Sequence, residues 1–135
     1  MVIMHINYPK FPDDEDKRVD VQRYINHMRM DCELAKDLIK GCWILEDIPG
    51  AGYPGNSVYN EDNYPQNYCI GMFAFESMED FEKFKPYVAP TRVDVPNYSN
   101  VYAYTNFYTL HEVELPVKLE DWEQKIVDGY ADVKA

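Results

Sequence analysis

The chain of 135 residues is 46% hydrophobic, and 24 acidic against 13 basic residues give it a formal net charge of -11. This size supports one compact domain. The acidic balance argues against nucleic acid and anionic membranes as partners, because both attract clustered Lys and Arg. No apolar run approaches the ~20 residues of a membrane-spanning helix, and the amino terminus carries no secretory leader pattern, so a cytoplasmic protein is predicted.

The acidic and sulfur-bearing residues do not predict a metal site. Cys32, Cys42 and Cys69 lack CxxC spacing and fit reduced thiols better than a disulfide framework. The acidic run at residues 13–16 precedes a predicted helix, where carboxylates favour the positive end of the helix dipole. There is no glycine-rich phosphate loop of recognised spacing. We therefore expect neither a metal nor an organic cofactor.

The first strand and the first helix carry the candidate histidines. The β-branched run Val2–Asn7 predicts a strand with His5 on the same side as Asn7. Val19–Ile39 predicts an amphipathic helix. Its apolar stripe comprises Val21, Tyr24, Ile25, Met28, Cys32, Ala35 and Ile39. His27 falls just off this stripe, which puts its ring at the edge of a helix–sheet cleft. A boundary histidine without a function is the alternative.

The remaining chain repeats the pattern of strands and helices after a long connection. Residues 49–66, rich in Gly, Pro, Asn and Tyr, predict a loop that closes over the cleft as a lid. The other predicted elements are strands at Cys42–Ile48, Tyr68–Phe75 and Asn100–Leu110, a helix from Ser77 to Pro90 and a terminal helix at Leu119–Val127.

This order of elements predicts an α+β, ferredoxin-like βαββαβ fold. Such a fold is a four-stranded antiparallel sheet with both helices on one face. The other face of the sheet would stay bare, and the commonest cover for a bare apolar face is the same face of a second copy. A homodimer formed sheet face to sheet face is therefore predicted.

Three segments occur in the order typical of a known family. They are Tyr24-Ile25-Asn26-His27-Met28, Phe73 to Phe81, and Asp94-Val95-Pro96-Asn97-Tyr98. Together they resemble the EthD-like proteins of the dimeric α+β barrel superfamily, and the third segment is the most specific. The resemblance implies an EthD-like domain at residues 1–112 and an extension with a short helix at 113–135. Arg29 and Met30 stand where the family usually has proline and leucine.

The resemblance implies a small-molecule protein and not one defined reaction. The superfamily includes cofactor-free monooxygenases, decarboxylases, isomerases and polyketide cyclases, as well as proteins without a known reaction. The leading hypothesis is a cofactor-independent enzyme of the lyase, isomerase or monooxygenase type, acting on an apolar or aromatic molecule in the helix–sheet cleft. The expected site comprises His27 as acid or base, His5 as a second polar group, Asp31 as the partner of the His27 ring, and Tyr24, Asn7, Trp43 and Tyr68 as pocket lining.

A non-catalytic protein that holds a hydrophobic ligand in the same cleft, such as a stress-related accessory protein, is the alternative. The pair of His27 and Asp31 separates the two hypotheses, because a catalytic base needs an oriented ring and a binding protein does not. A His27 ring that faces solvent, or one walled off by packed side chains, would argue against catalysis.

Overall fold

A computed structural model describes residues 1–11, 13–48 and 67–134, the last four by their backbone alone. The strands are β1 (Val2–Pro9), β2 (Gly41–Glu46), β3 (Asn67–Phe75) and β4 (Tyr104–Thr109). They form one sheet in the order β2-β3-β1-β4, and all neighbours are antiparallel. Helix α1 (Val21–Leu34) joins β1 to β2, and α2 (Met78–Val88) follows β3. The predicted ferredoxin-like βαββαβ fold is confirmed.

Both of these helices begin at a capping side chain. The carboxylate of Asp20 accepts a hydrogen bond from the backbone N–H of Arg23 at 3.1 Å, and the Ser77 hydroxyl accepts one from Asp80 at 3.3 Å. Each cap satisfies a backbone donor that has no partner inside the helix. The caps explain why α1 and α2 begin where they do.

Helix α1 ends earlier than its apolar stripe predicts. The stripe continues to Ile39, but the helix ends at Leu34 and the backbone turns after Ala35. The backbone N–H of Lys40 then donates to the Ala74 carbonyl oxygen at 2.8 Å, which leads the chain into β2. The prediction was wrong here because Ile39 packs against the core from outside the helix. An apolar pattern shows which side chains are buried and does not show whether their backbone is helical.

The core lies between the helices and one face of the sheet. Its buried members are Tyr8, Tyr24, Met28, Ala35, Cys69, Phe73, Phe75, Phe84 and Tyr98. Gly71 of β3 allows α1 to approach closely, because a Cβ atom there would lie 2.0 Å from the Tyr24 hydroxyl oxygen. A larger residue would therefore push α1 away from the sheet.

A second layer covers the edge of α1. After α2 the chain forms a 3-10 turn (Ala89–Asp94) and the short helix α3 (Val95–Tyr98), and both pack against α1. The backbone N–H of Asp20 donates to the Tyr98 carbonyl oxygen at 2.7 Å. This cover buries the edge of the apolar stripe, which the helix pattern alone left half exposed.

The other face of the sheet and the carboxy-terminal region carry exposed apolar side chains. Large apolar side chains on this open face, including Trp43, Leu45 and Tyr108, are about half exposed. After β4, residues 110–120 lead to α4 (Asp121–Lys134), which is longer than the predicted terminal helix. No helix in the described ranges has both the length and the apolar character needed to cross a bilayer.

Candidate functional site

His27 lies between two carboxyl groups. Its Nδ1 atom is 3.1 Å from Oδ2 of Asp94, a hydrogen-bonding distance, and its Nε2 atom is 3.5 Å from Oδ2 of Asp31. The side chain is only 8% exposed. Asp31 is one helical turn beyond His27, as the spacing predicted, whereas Asp94 comes from the end of the 3-10 turn. The ring is therefore oriented chiefly by Asp94.

Thr91 connects the buried carboxyl group to the backbone of α2. Its Oγ1 atom lies 2.7 Å from Oδ1 of Asp31 and 2.8 Å from the carbonyl oxygen of Val88. The hydroxyl has one proton for these two oxygens. The hydroxyl therefore donates either to Asp31 or to the Val88 carbonyl oxygen, and when it donates to Asp31 it links α1 to the segment after α2.

The pKa values of the two carboxyl groups are displaced in opposite directions. Burial raises the pKa of Asp31 above its ordinary value, although the Thr91 hydroxyl and His27 act against this rise. Hydrogen bonds from Asn97, Arg23 and His27 lower the pKa of Asp94. Environments that separate the pKa values of neighbouring acids are typical of sites that move protons. Asp94 is thus the more acidic of the two partners of the ring, and Asp31 is the one that is more readily protonated.

Two tyrosines, Tyr24 and Tyr98, border the histidine on the core side, and Tyr8 contacts both of them. The rings of Tyr24 and His27 are stacked with centroids 6.3 Å apart, and the Tyr98 ring is 4.9 Å from His27. The hydroxyl oxygens of Tyr8 and Tyr98 are 2.8 Å apart. Burial raises the pKa of all three phenols, so they stay neutral. The buried Tyr24 hydroxyl makes no hydrogen bond of ordinary geometry with any described residue.

The expectation that all seven predicted residues line one cleft is corrected. Tyr24, His27 and Asp31 lie on the helix side, but His5, Asn7 and Trp43 lie on the open face of the sheet. The His5 ring contacts Tyr108 edge-on at 4.9 Å, and the Asn7 amide donates to the side chain of Asn106 at 3.0 Å. The sheet separates the two groups because β1 alternates its side chains between faces.

Tyr68 is partly buried against the core, but its polar contacts lie away from His27. Its hydroxyl donates to the carbonyl oxygen of Lys17 at 2.9 Å, and its ring lies under the Lys10 ammonium group at 5.9 Å. It therefore ties β3 to the chain that enters α1. The predicted lid at residues 49–66 falls outside the described residues and stays a prediction.

A surface depression of about 630 Å³ lies elsewhere, on the outer side of α1, and is open to solvent. It is lined by Asn26, Arg29, Met30, Cys32 and Glu33. Two of these residues, Arg29 and Met30, are those that depart from the family pattern. The depression is distinct from the contacts that the His27 ring makes with Asp31 and Asp94.

Asp94, Thr91 and Tyr98 were missed as site residues in the sequence. Two of them stand in the segment Asp94–Tyr98, which carries the most specific part of the family resemblance, and both contact His27. That segment was the available signal. Its role could not be read from spacing, because the partners are far apart in the chain.

The site offers acid–base groups. Within the described ranges, no three His, Cys, Asp or Glu side chains are grouped so that they could hold a metal ion. An imidazole with a hydrogen-bonded carboxylate on one nitrogen and a carboxyl group of raised pKa near the other can accept or release a proton. What the arrangement can do chemically is therefore proton transfer.

Comparisons with known proteins support the fold. No family model matches the sequence, and no curated protein matches it. The chain is similar to the crystal structure of an EthD-like protein from Ralstonia eutropha, with a TM-score of 0.60 and 20% identity over 89% of this chain and 96% of that one. It is also similar to a protein from Arabidopsis thaliana, with a TM-score of 0.53 and 14% identity over 84% of this chain and 98% of that one. The chain therefore has the EthD-like fold, a ferredoxin-like α+β sheet covered by helices on one face.

Proposed function

We propose that this protein is a cofactor-independent enzyme that acts on a small apolar or aromatic molecule, with His27 as acid or base. The observation that carries the proposal is the position of His27 between two carboxyl groups whose pKa values are displaced in opposite directions. Burying such a cluster is costly, and apolar residues of similar volume often stabilise a core as well or better. A cluster of this kind is therefore a candidate for function.

Each group then has a distinct role. Asp94 holds the ring through Nδ1, so the ring is oriented without losing Nε2 to a hydrogen bond of ordinary length. Asp31 places a second carboxyl group, with a raised pKa, 3.5 Å from Nε2. Isomerisation, cyclisation and decarboxylation each need a positioned proton donor or acceptor. The site meets the surface where Asp94 pairs with Arg23, whose side chain is half exposed, and this is the side from which a substrate would approach.

A non-catalytic ligand-binding protein is the second candidate, and the burial of His27 favours it. Both ring nitrogens face carboxyl groups, and Tyr24 and Tyr98 pack against the ring. In this case the cluster would hold α1 against the segment 89–98 and transfer no proton. A His27 ring that is walled off by packed side chains argues against catalysis, and the observed ring comes close to that condition.

Hydrogen exchange at carbon separates the two candidates. Enolisable aromatic ketones are incubated with the protein in deuterated water, and loss of the α-proton signal is followed by NMR. If His27 transfers protons, wild-type protein should accelerate the exchange of at least one compound, and His27→Ala should lower that rate by at least about a hundredfold. The fold of the variant is checked by circular dichroism.

His5→Ala is the matched histidine control, because His5 lies across the sheet from His27. A smaller loss than in His27→Ala is expected. An equal or larger loss of exchange rate would indicate that the reaction takes place on the open face of the sheet. If wild-type and His27→Ala proteins exchanged the compounds equally and showed the same ligand-induced rise in melting temperature, the enzyme proposal would fail and the binding protein would stand.

The domain bounds, the oligomeric state and the location are proposals as well. We propose a domain at residues 1–112 with an extension at 113–135, a homodimer formed through the open sheet face, and a cytoplasmic location. The three free cysteines support the last of these, because disulfides are rare in reducing compartments.

A further inference from the structure

The segment after β4 carries an alternating apolar pattern that the domain does not bury. Val113, Leu115, Val117 and Leu119 occupy every second position and are separated by Glu114, Pro116 and Lys118. Their exposed fractions lie between 39% and 80%. This pattern is typical of an extended segment that buries one side. Among the described residues, these four apolar side chains stay exposed.

Helix α4 continues the same surface. Trp122 and Ile126 are one helical turn apart and are each more than 60% exposed, and Val127 is about half exposed. Hydrogen bonds in this region are local, for example from Trp122 Nε1 to Glu120 and from Gln124 to Asp128. An amphipathic helix gains most of its stability by packing its apolar face. Trp122, Ile126 and Val127 therefore remain exposed on a face of the kind that such helices normally bury.

The exposed apolar area fits part of one side of a stable interface. Seven apolar side chains of this region, at positions 113, 115, 117, 119, 122, 126 and 127, are each at least 39% exposed. At their exposed fractions they present roughly 300–600 Å², if an aliphatic side chain offers ~60–120 Å² and Trp122 ~150–250 Å². Each partner contributes ~800 Å² to an interface of standard size, and patches beyond a few hundred Å² are rare on monomers. This region can thus supply about half of one side of a stable interface, and the open sheet face can supply the rest.

We propose that residues 111–130, the carboxy-terminal arm, pack against a second copy of this chain. The proposal rests on the proposed homodimer and adds a second contact to it. The arm leaves from β4, an edge strand of the sheet whose open face also needs a cover. A two-fold pair buries both surfaces in both copies at once, because each copy supplies an arm and receives one.

Association is measured by sedimentation of full-length protein over a range of concentrations. Leu115→Asp puts a charge on the arm at an 80% exposed position, so the fold of the single chain is not at risk. The variant should weaken association at least about thirtyfold, as expected for a central interface residue. Val93→Asp is the matched control, because Val93 is 84% exposed on the 3-10 turn, and it should associate like wild type.

Tryptophan fluorescence reports on the arm itself. The chain has two tryptophans, so Trp43→Phe leaves Trp122 as the reporter. Its emission should move to shorter wavelength as the protein associates. If Leu115→Asp formed dimers as strongly as Val93→Asp, or Trp122 emission did not change on association, the arm proposal would be wrong and the sheet-face dimer would stand. A monomeric wild-type protein at all concentrations would overturn both.

Discussion

His27, Asp31 and Asp94 form a cluster of three titratable side chains, of which His27 and Asp31 are buried. The contribution of each acid to stability can be measured. The cluster brings together two acids with pKa values displaced in opposite directions. A group with a raised pKa in the folded state stabilises the protein at low pH and loses this effect as the pH rises. A group with a lowered pKa does the reverse. The two acids should therefore leave opposite signatures in the pH dependence of stability.

Asp31→Asn should become more stable relative to wild type as the pH rises above about 4. Burial raises the folded-state pKa of Asp31 above its ordinary value of 3.8, so ionisation of this group in the wild-type protein costs stability as the pH increases. The asparagine does not ionise and still offers an oxygen to Thr91. The free energy of unfolding is measured by urea denaturation between pH 4 and pH 7.

Asp94→Asn should show the opposite trend. Asp94 has a lowered folded-state pKa, so the stability that it contributes is present above pH 3.8 and is lost as the pH falls through the folded-state value. The variant should be less stable than wild type near neutral pH, with a gap that closes in acid. Asp37→Asn, an exposed carboxylate on the turn after α1, controls for loss of charge. Parallel profiles for Asp31→Asn and Asp94→Asn would contradict the assignment.

At the scale of elements, the packing of α1 on β3 depends on Gly71. Gly71→Ala should lower the free energy of unfolding by about 1–3 kcal/mol, because the new methyl group would overlap the hydroxyl of the fully buried Tyr24. Tyr24→Phe should be neutral or slightly stabilising, since the hydroxyl has no ordinary hydrogen bond to a described residue and an unsatisfied buried group is costly. The double variant should recover part of the loss.

Gly129→Ala is the matched control for this prediction. A Cβ atom at Gly129 of α4 would have no neighbour within 4 Å, so the variant should gain helix propensity, up to about 1 kcal/mol. Urea denaturation compares all the variants. If Tyr24→Phe did not reduce the cost of Gly71→Ala, the contact between α1 and β3 would not be the cause of that cost.

At the scale of the whole molecule, the open sheet face predicts a homodimer in which the same face of a second copy covers it. Wild-type protein should have twice the mass of one 15.9 kDa chain in light scattering. Trp43→Asp should shift it to the monomer, because the charge would stand in the middle of the apolar contact. Circular dichroism should stay unchanged, since Trp43 is half exposed in the single chain.

Tyr87→Asp serves as the control for the dimer prediction. Tyr87 is an aromatic residue of similar exposure on α2, on the helix side of the sheet. Its variant should remain dimeric. Wild-type protein that stays monomeric at micromolar concentration would contradict the sheet-face dimer, and so would a dimer that Trp43→Asp leaves intact.

The sequence by itself determined the order and type of the elements. Strand-like alternation and the period of the apolar stripe are local signals, and local signals act over a few residues. They were enough to predict the ferredoxin-like fold. They also identified His27 and Asp31 as neighbours, because one helical turn fixes that distance.

Only the tertiary structure decided which residues share a site. Both faces of β1 are apolar in sequence, with Met4 and Ile6 on one and Ile3 on the other, so alternation could not say which face the helices cover. The sheet therefore divided His5 from His27. The ring of His27 was buried by residues 89–98 and paired with Asp94, a contact that joins positions 67 residues apart. Such a contact depends on how the layers pack, and no local pattern in the chain encodes it.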